Sequence, residues 1–402
     1  MTRVLMFFSG LLICYFVYGF YISQINVNVI PLRLKKDNSM EFFDYRGVIN
    51  VHSELSLGSS SYSKIISSAR AAGLDFIFFT DLNLFDIPYN EEGYHGNTLV
   101  FSAGKYSYLD SRLIYYSNKG ETLGQTLGDS QVRLSDFLSQ KRIFNRDEFI
   151  VLAHPYKLDF TWSGDIPIGL DGVELINLKS LSYRAWESSK LSVIWSLFTY
   201  PFNPKLSLIR LFQEPTEEIG LFDEVSLRQS LNMFAGAEAS ARAIPIANYL
   251  LKFPSYQKSF EIFSNHVLLK SELTGQVGSD KQKIFQAIKN GNFYLAFDFL
   301  GETKGFQAFV QDNNKTHLMG SSIRFNKNLI LRAEVPAEPS DFYEIVVYRN
   351  GVRYATGNSS NINLQIIEPG VYRIQVRVSP FLPLPDAKKW FTWIYTNPFY
   401  IN

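Results

Sequence analysis

The hydrophobic pattern changes character twice along the chain. Residues 4–22 form an unbroken apolar run, about as long as a bilayer-spanning helix requires. After a polar and basic stretch, short apolar runs recur at residues 48–51, 76–79, 99–101, 149–153 and 173–176, each ending in polar or glycine residues. Runs that are apolar on both faces suit strands of a parallel sheet covered by helices. Between the first two, Tyr62, Ile65, Ile66, Ala69 and Ala72 share one helical face and Gly73 supplies the stop, which predicts a βαβ unit. Several such units in series predict an α/β barrel, with chemistry where the strands end.

Residues 191–212 are unusually apolar and aromatic, broken by Asn203-Pro204. They read as barrel helices; the competing reading is a segment lying in a membrane interface. Ser279 or Asp280 is expected to cap a helix carrying Ile284, Phe285 and Ile288, with Gly291 just past its end. From about Gly305 the period becomes two, with Tyr372, Ile374, Val376 and Val378 alternating with Val371, Arg373, Gln375 and Arg377. Asn350-Gly351 between two such runs predicts a type I′ hairpin. The pattern divides the chain into an anchor or signal (1–25), a connector (26–45), an α/β barrel (46–304) and a β-sandwich (305–402).

At 402 residues, 46% hydrophobic, 19% charged and a net charge of +1, the chain is globular and has no charge excess to attract nucleic acid, so no nucleic-acid partner is expected. The single cysteine, Cys14, lies in the apolar run, which excludes a disulfide, a zinc–thiolate site or a thiol nucleophile from the folded part. That run reads as a retained anchor rather than a cleaved signal, because bulky residues continue through Phe16, Val17, Tyr18, Phe20 and Tyr21. A lipoprotein reading through Cys14 is weaker, since Ile13 stands where a small residue is needed. Likeness to an export signal places the barrel outside the cytoplasm, on the periplasmic side or cell surface; Arg33, Lys35 and Lys36 beyond the run argue for the opposite orientation.

Polar clusters stand where the apolar runs end: Asn50-Val51-His52-Ser53, Thr80-Asp81-Leu82-Asn83, Ala153-His154-Pro155, Glu174-Leu175-Ile176-Asn177 and Gly236-Ala237-Glu238-Ala239-Ser240. A lone histidine at a strand end is usually a structural hydrogen bonder. Clusters in series give a stronger signal.

Their order resembles the PHP (polymerase and histidinol phosphatase) family, metal-dependent phosphoesterases on a distorted (β/α)7 barrel. The family's first motif is His-x-His, where this chain has Asn50 and His52. Its Thr-Asp-His-Asn is similar to Thr80-Asp81-Leu82-Asn83, with the histidine replaced by Leu82. Where a glutamate follows a glycine in the family, Gly104 is followed by Lys105. His154-Pro155 is intact, Glu174 and Asn177 match the next strand, and Gly-x-Asp-Ala-His has become Gly236-Ala237-Glu238-Ala239-Ser240. The stretches 369–373 and 393–398 resemble a membrane-associated subgroup with a C-terminal β-domain, so the likeness covers nearly everything after residue 45.

The resemblance implies a PHP-like barrel, a β-sandwich and an N-terminal transmembrane helix. Its metal site is degenerate, with only His52, Asp81, His154 and Glu238 left as ligands for at most a single ion. Against a divalent ion at about 4 Å and an effective dielectric near 20, the Lys105 ammonium would cost on the order of 8 kcal/mol. The leading reading is therefore a membrane-anchored, non-catalytic protein that needs no cofactor and binds a small-molecule or protein ligand, with Lys105, Glu174 and Asn177 as anion-binding candidates. The alternative is an active phosphoesterase holding one Zn, Mn or Fe ion, with His154 or Asp81 assisting a bound water. A further alternative places glycan or protein binding in the β-domain, through Trp390, Phe391 and Trp393.

Overall fold

Seven strands, each apolar enough to be buried on both faces, close on themselves: β1 (Phe43–Val51), β2 (Phe76–Leu82), β3 (Thr98–Tyr108), β4 (Ser111–Ser117), β5 (Glu148–Ala153), β6 (Gly172–Asn177) and β7 (Asn232–Ala239). This is a computed structural model, and it describes residues 2–30, 42–140, 147–241, 243–246, 249–252, 254–339, 342–386 and 388–402. Arg33, Lys35 and Lys36 lie outside the described residues. Neighbouring strands pair in sequence, and β7 returns to β1 through Ile49 opposite Gly236 and Val51 opposite Ala239. All barrel pairings are parallel except those of β4, which turns back from β3 at Leu109-Asp110 and runs antiparallel to β3 and β5. That reversal makes the barrel irregular, as the resemblance implied.

The helix after β1 runs Tyr62–Ala71 and buries Tyr62, Ile65, Ile66 and Ala69, the face its spacing predicts. Gly73 follows at φ 71°, a conformation that costs glycine nothing. The aromatic segment forms two helices, Lys190–Thr199 and Pro204–Leu211, and the Asn203 side chain caps the second by accepting from Leu206 N–H. The last barrel helix, Val277–Asn290, starts one turn earlier than expected. Asp280 is not its cap but lies inside its first turn, where its carboxylate accepts from the Thr274 and Gly275 N–H groups and so holds the loop before the helix.

The C-terminal strands are not a separate layer. The first half of β1 diverges from the barrel to pair with Phe263–Leu269; this strand pairs with Phe293–Phe297, and that one with Phe391–Thr396. One sheet therefore runs from the barrel into the C-terminal region. A second sheet, in the order Lys315–Leu318, Gln307–Asp312, Leu329–Glu334, Asn361–Gln365, shares its buried core with the first. The predicted hairpin is present, with Asn350 at φ 52° and Gly351 at φ 76°. Arg373 departs from the alternating pattern and is buried, because its guanidinium makes a two-point ion pair at 2.7 Å with Asp223 of the barrel helix Thr216–Ser226.

Where the two regions meet, His266 bridges two acids. Its Nδ1 lies 2.7 Å from Asp44 Oδ1 and its Nε2 3.3 Å from Asp298 Oδ1. Tyr294 donates to the other Asp44 oxygen at 2.6 Å, and Arg46 lies 3.3 Å from Asp298. Burial works against a charged His266, yet the two carboxylates raise it to about 10, so it is an imidazolium at neutral pH. Phe391 and Trp393 are fully buried, Trp393 donating to the Gly301 carbonyl. Their place is the core, and of the aromatics expected to stack on sugars only Trp390 is exposed.

Candidate functional site

The strand ends that bear the polar clusters are also where the backbone is strained. Asn50, His154 and Glu238 have φ values of 63°, 36° and 37°, a region non-glycine residues enter at a cost of about 1–3 kcal/mol each. The pairing of β1 with its neighbours slips near Asn50, and β6 slips against β7 just past Glu174. Such kinks turn side chains from the sheet faces toward the end of the barrel.

Asp81, at the end of β2, is enclosed by this chain's own donors. Ser53 N–H donates to it at 2.7 Å, Ser53 Oγ at 2.8 Å, Ser56 Oγ at 2.5 Å and Tyr62 OH at 3.0 Å. Four donors on two carboxylate oxygens occupy most of its acceptor capacity. The loop carrying these serines is pressed against the barrel at Gly58, where a Cβ would lie 2.1 Å from the His52 carbonyl oxygen.

Lys105 occupies the centre. It lies within β3, four residues beyond the apolar run that marked the strand, and is fully buried. Its ammonium donates to Asn50 Oδ1 at 3.1 Å and stands 3.7 Å from Glu238 Oε1. The Asn50 amide donates in turn to Glu174 Oε1 at 2.6 Å, while Glu174 Oε2 accepts from His154 N–H at 2.9 Å and from Asn177 at 3.0 Å. Asn50 thus links the cation to a buried acid. Gly236 leaves room for that acid, since a Cβ there would fall 1.8 Å from Glu174 Oε1. Asn177 also caps helix Leu178–Ser188 by accepting from Ser180 N–H. Glu174 and Asn177 therefore direct their hydrogen bonds inward, to each other and to neighbouring groups of the chain.

Burial lowers the Lys105 ammonium to about 8, with Glu238 and Glu174 opposing the shift. Burial likewise raises the Glu174 carboxyl, against Lys105. At Glu238 burial also opposes ionisation, but Lys105 and Lys157 hold the carboxyl well below the usual carboxylate range. Burial first and Lys105 second push His52 and His154 far below the ordinary histidine value, so both rings are neutral at physiological pH. All four of their ring nitrogens, and Glu238 Oε2, are buried without a hydrogen-bond partner. Each such atom costs about 1–3 kcal/mol unless something from outside the chain satisfies it.

Three further cations surround this centre, none of them singled out from the sequence. Lys157 lies 2.6 Å from Glu238 Oε1, Lys179 lies 3.9 Å from the same oxygen and is 40% exposed, and Arg112 stacks 4.1 Å over the Phe160 ring. Lys157 and Lys179 sit just beyond the His154 and Asn177 strand ends, so their place in the chain was a usable signal. Arg112 was not legible, because it reaches the site only through the antiparallel return of β4. Lys105, Lys157, Lys179 and Arg112 face ionised Glu238, a Glu174 biased toward its protonated form, and an Asp81 already enclosed. The balance is positive.

The donor set suits a divalent ion only in part, because the Lys105 ammonium stands beside Glu238. Neutral imidazoles and a carboxylate are suitable donor types. Among the described residues, however, no three histidine, cysteine, aspartate or glutamate side chains form a group able to hold an ion. His52, Asp81, His154 and Glu238 stand at the ends of β1, β2, β5 and β7, and Lys105 lies beside Asn50 and Glu238.

No family model and no curated protein matches the chain. Among solved structures it is similar to a protein from Bacteroides vulgatus ATCC 8482, described as a two-domain protein containing a predicted PHP-like metal-dependent phosphoesterase. The two are 13% identical, with 92% of this chain and 98% of that one covered, at a TM-score of 0.40. The barrel itself rests on the strand pairing within this chain.

Proposed function

We propose that the protein is a membrane-anchored, metal-independent relative of PHP phosphoesterases that binds an anionic ligand at the strand ends of its barrel without hydrolysing it. The observation that carries this reading is the buried Lys105 ammonium, held between Asn50 and Glu238 where a metal would require a carboxylate. The cation excess at Arg112, Lys157 and Lys179 supplies the attraction, and the unpaired ring nitrogens of His52 and His154 supply short-range partners for a phosphate or similar group. A neutral imidazole can donate from one nitrogen and accept at the other, which suits an anion that still carries a proton.

A second reading, a phosphoesterase using one ion, is favoured by those same neutral imidazoles and by the free Glu238 Oε2. The two separate in one set of measurements on the purified full chain. The first expects substoichiometric metal, no turnover of a generic phosphodiester with added Mn²⁺ or Zn²⁺, and a rise in melting temperature with inorganic phosphate that is lost in Lys157→Ala. Stoichiometric metal, with turnover abolished by His154→Ala, would sink it.

A further inference from the structure

An 18-residue stretch within Arg3–Ser23 of helix Thr2–Ser23 has a mean hydropathy of 1.9, and this is the only described helix long and apolar enough to cross a membrane. At 1.5 Å per residue the span is about 30 Å, the thickness of a hydrocarbon core. Its last third, however, is packed against protein. Tyr15 donates to the Phe198 carbonyl at 2.9 Å and its ring meets Phe202 at 5.0 Å; the Tyr18 ring meets Trp195 at 5.3 Å, and its hydroxyl donates to the Leu384 carbonyl at 2.6 Å. Gly19 admits the Phe202 ring to a place a Cβ would contest at 2.5 Å, and the Asn203 amide donates to the Ile22 and Ile25 carbonyls at 2.9 and 3.0 Å.

Tyr15 lies eight residues before Ser23, or about 12 Å along the axis. If the folded part stayed wholly in water, only residues 3–14 would be left for the bilayer, about 18 Å, too short to cross it. The helix spans fully only if the protein around its last two turns is itself in lipid. That protein has the surface for it: Leu191, Ile194, Leu197 and Phe198 on helix Lys190–Thr199 are 80%, 41%, 50% and 57% exposed, and Phe381 and Leu384 on the adjoining loop are 65% and 81% exposed. Nearby, exposed Trp186 has the Lys190 ammonium 5.7 Å from its ring, an aromatic and basic pairing suited to headgroup depth.

We infer that helix Lys190–Thr199 and the loop at Phe381–Leu384 form a collar that sinks about 10 Å into the leaflet where the N-terminal helix ends. The occupant of this apolar surface is the lipid bilayer, because the surface is continuous with the bare flank of the helix it grips. The inference rests on the N-terminal helix being a retained anchor.

The test uses the full chain with Cys14→Ser, carrying single nitroxide labels at Leu11→Cys, Leu197→Cys or Val352→Cys, in vesicles of phosphatidylcholine and phosphatidylglycerol. Accessibility to lipid-dissolved oxygen against an aqueous nickel chelate is then read for each. Labels at 11 and 197 should both favour oxygen severalfold over the label at 352. If 11 is lipid-like while 197 matches 352, the collar is wrong and the anchor stands. If 11 matches 352, the anchor fails and the collar with it. A label at 197 shielded from both reagents would show that a second protein surface covers the patch, which also overturns the inference.

Discussion

Lys105 Nζ stands 3.7 Å from Glu238 Oε1 with neither side chain meaningfully exposed, so each keeps the other's charge tolerable in the barrel. Removing the cation in Lys105→Met takes from Glu174 the charge that opposes its burial, while Glu238 keeps Lys157 at 2.6 Å, and the expected loss is about 3 kcal/mol at pH 7. The loss should shrink toward pH 5, because Glu174, whose carboxyl burial already raises, takes up a proton there once Lys105 is gone. Chemical denaturation at the two pH values checks this; a loss equal at both would show that Lys105 contributes packing and not charge.

His266 gives the opposite dependence. Its folded value, raised to about 10, exceeds the ordinary 6.5, so its contribution is complete below about 6.5 and disappears as pH rises through 10. The melting-temperature gap between the natural protein and His266→Gln should therefore be widest near pH 6 and nearly closed at pH 10. A gap independent of pH would refute a charged bridge between Asp44 and Asp298.

Chelation should leave stability unchanged, since Ser53, Ser56 and Tyr62 already supply Asp81 with four donors. Tyr62→Phe is expected to cost about 1 kcal/mol with or without EDTA. A melting temperature that drops with EDTA in the natural protein alone would indicate a bound metal.

Gly236→Ala should be among the most damaging single changes, at roughly 3 kcal/mol or more, because the new methyl occupies the position of Glu174 Oε1. Gly128→Ala, where the nearest atom to a new Cβ is 3.7 Å away, should be tolerated. Comparable melting temperatures for the two would contradict the packing around Glu174.

Much of the barrel was legible because its strands are buried on both faces, which leaves continuous apolar runs such as Phe76–Ile77–Phe78–Phe79 with few other interpretations. The reversal at β4 was hidden: Leu113, Ile114, Tyr115 and Tyr116 are as apolar as a parallel strand, and strand direction leaves no trace in such a run. The position of Lys105 was legible by resemblance, but its bond to Asn50 was not, because it depends on backbone slips that no periodicity encodes. Lys157 and Lys179 look like ordinary loop lysines until Glu238 is placed beside them. The extended sheet was missed for a related reason. An alternating pattern shows that a strand has two faces but not which partner takes its edge, so Phe391–Thr396 reads the same whether it borders Phe293–Phe297 or solvent.

That shared edge makes residue 304 a poor place to cut. A fragment ending there would present the Phe293–Phe297 strand with its backbone donors and acceptors bare along one side, next to buried Phe297 and Phe263, a template for sticking to its own copies. The reciprocal fragment would carry Trp393 and Tyr395 into water. Separating barrel from tail would therefore bare a strand edge on each side, whereas insertions at the exposed Asn313-Asn314 turn touch no buried strand edge.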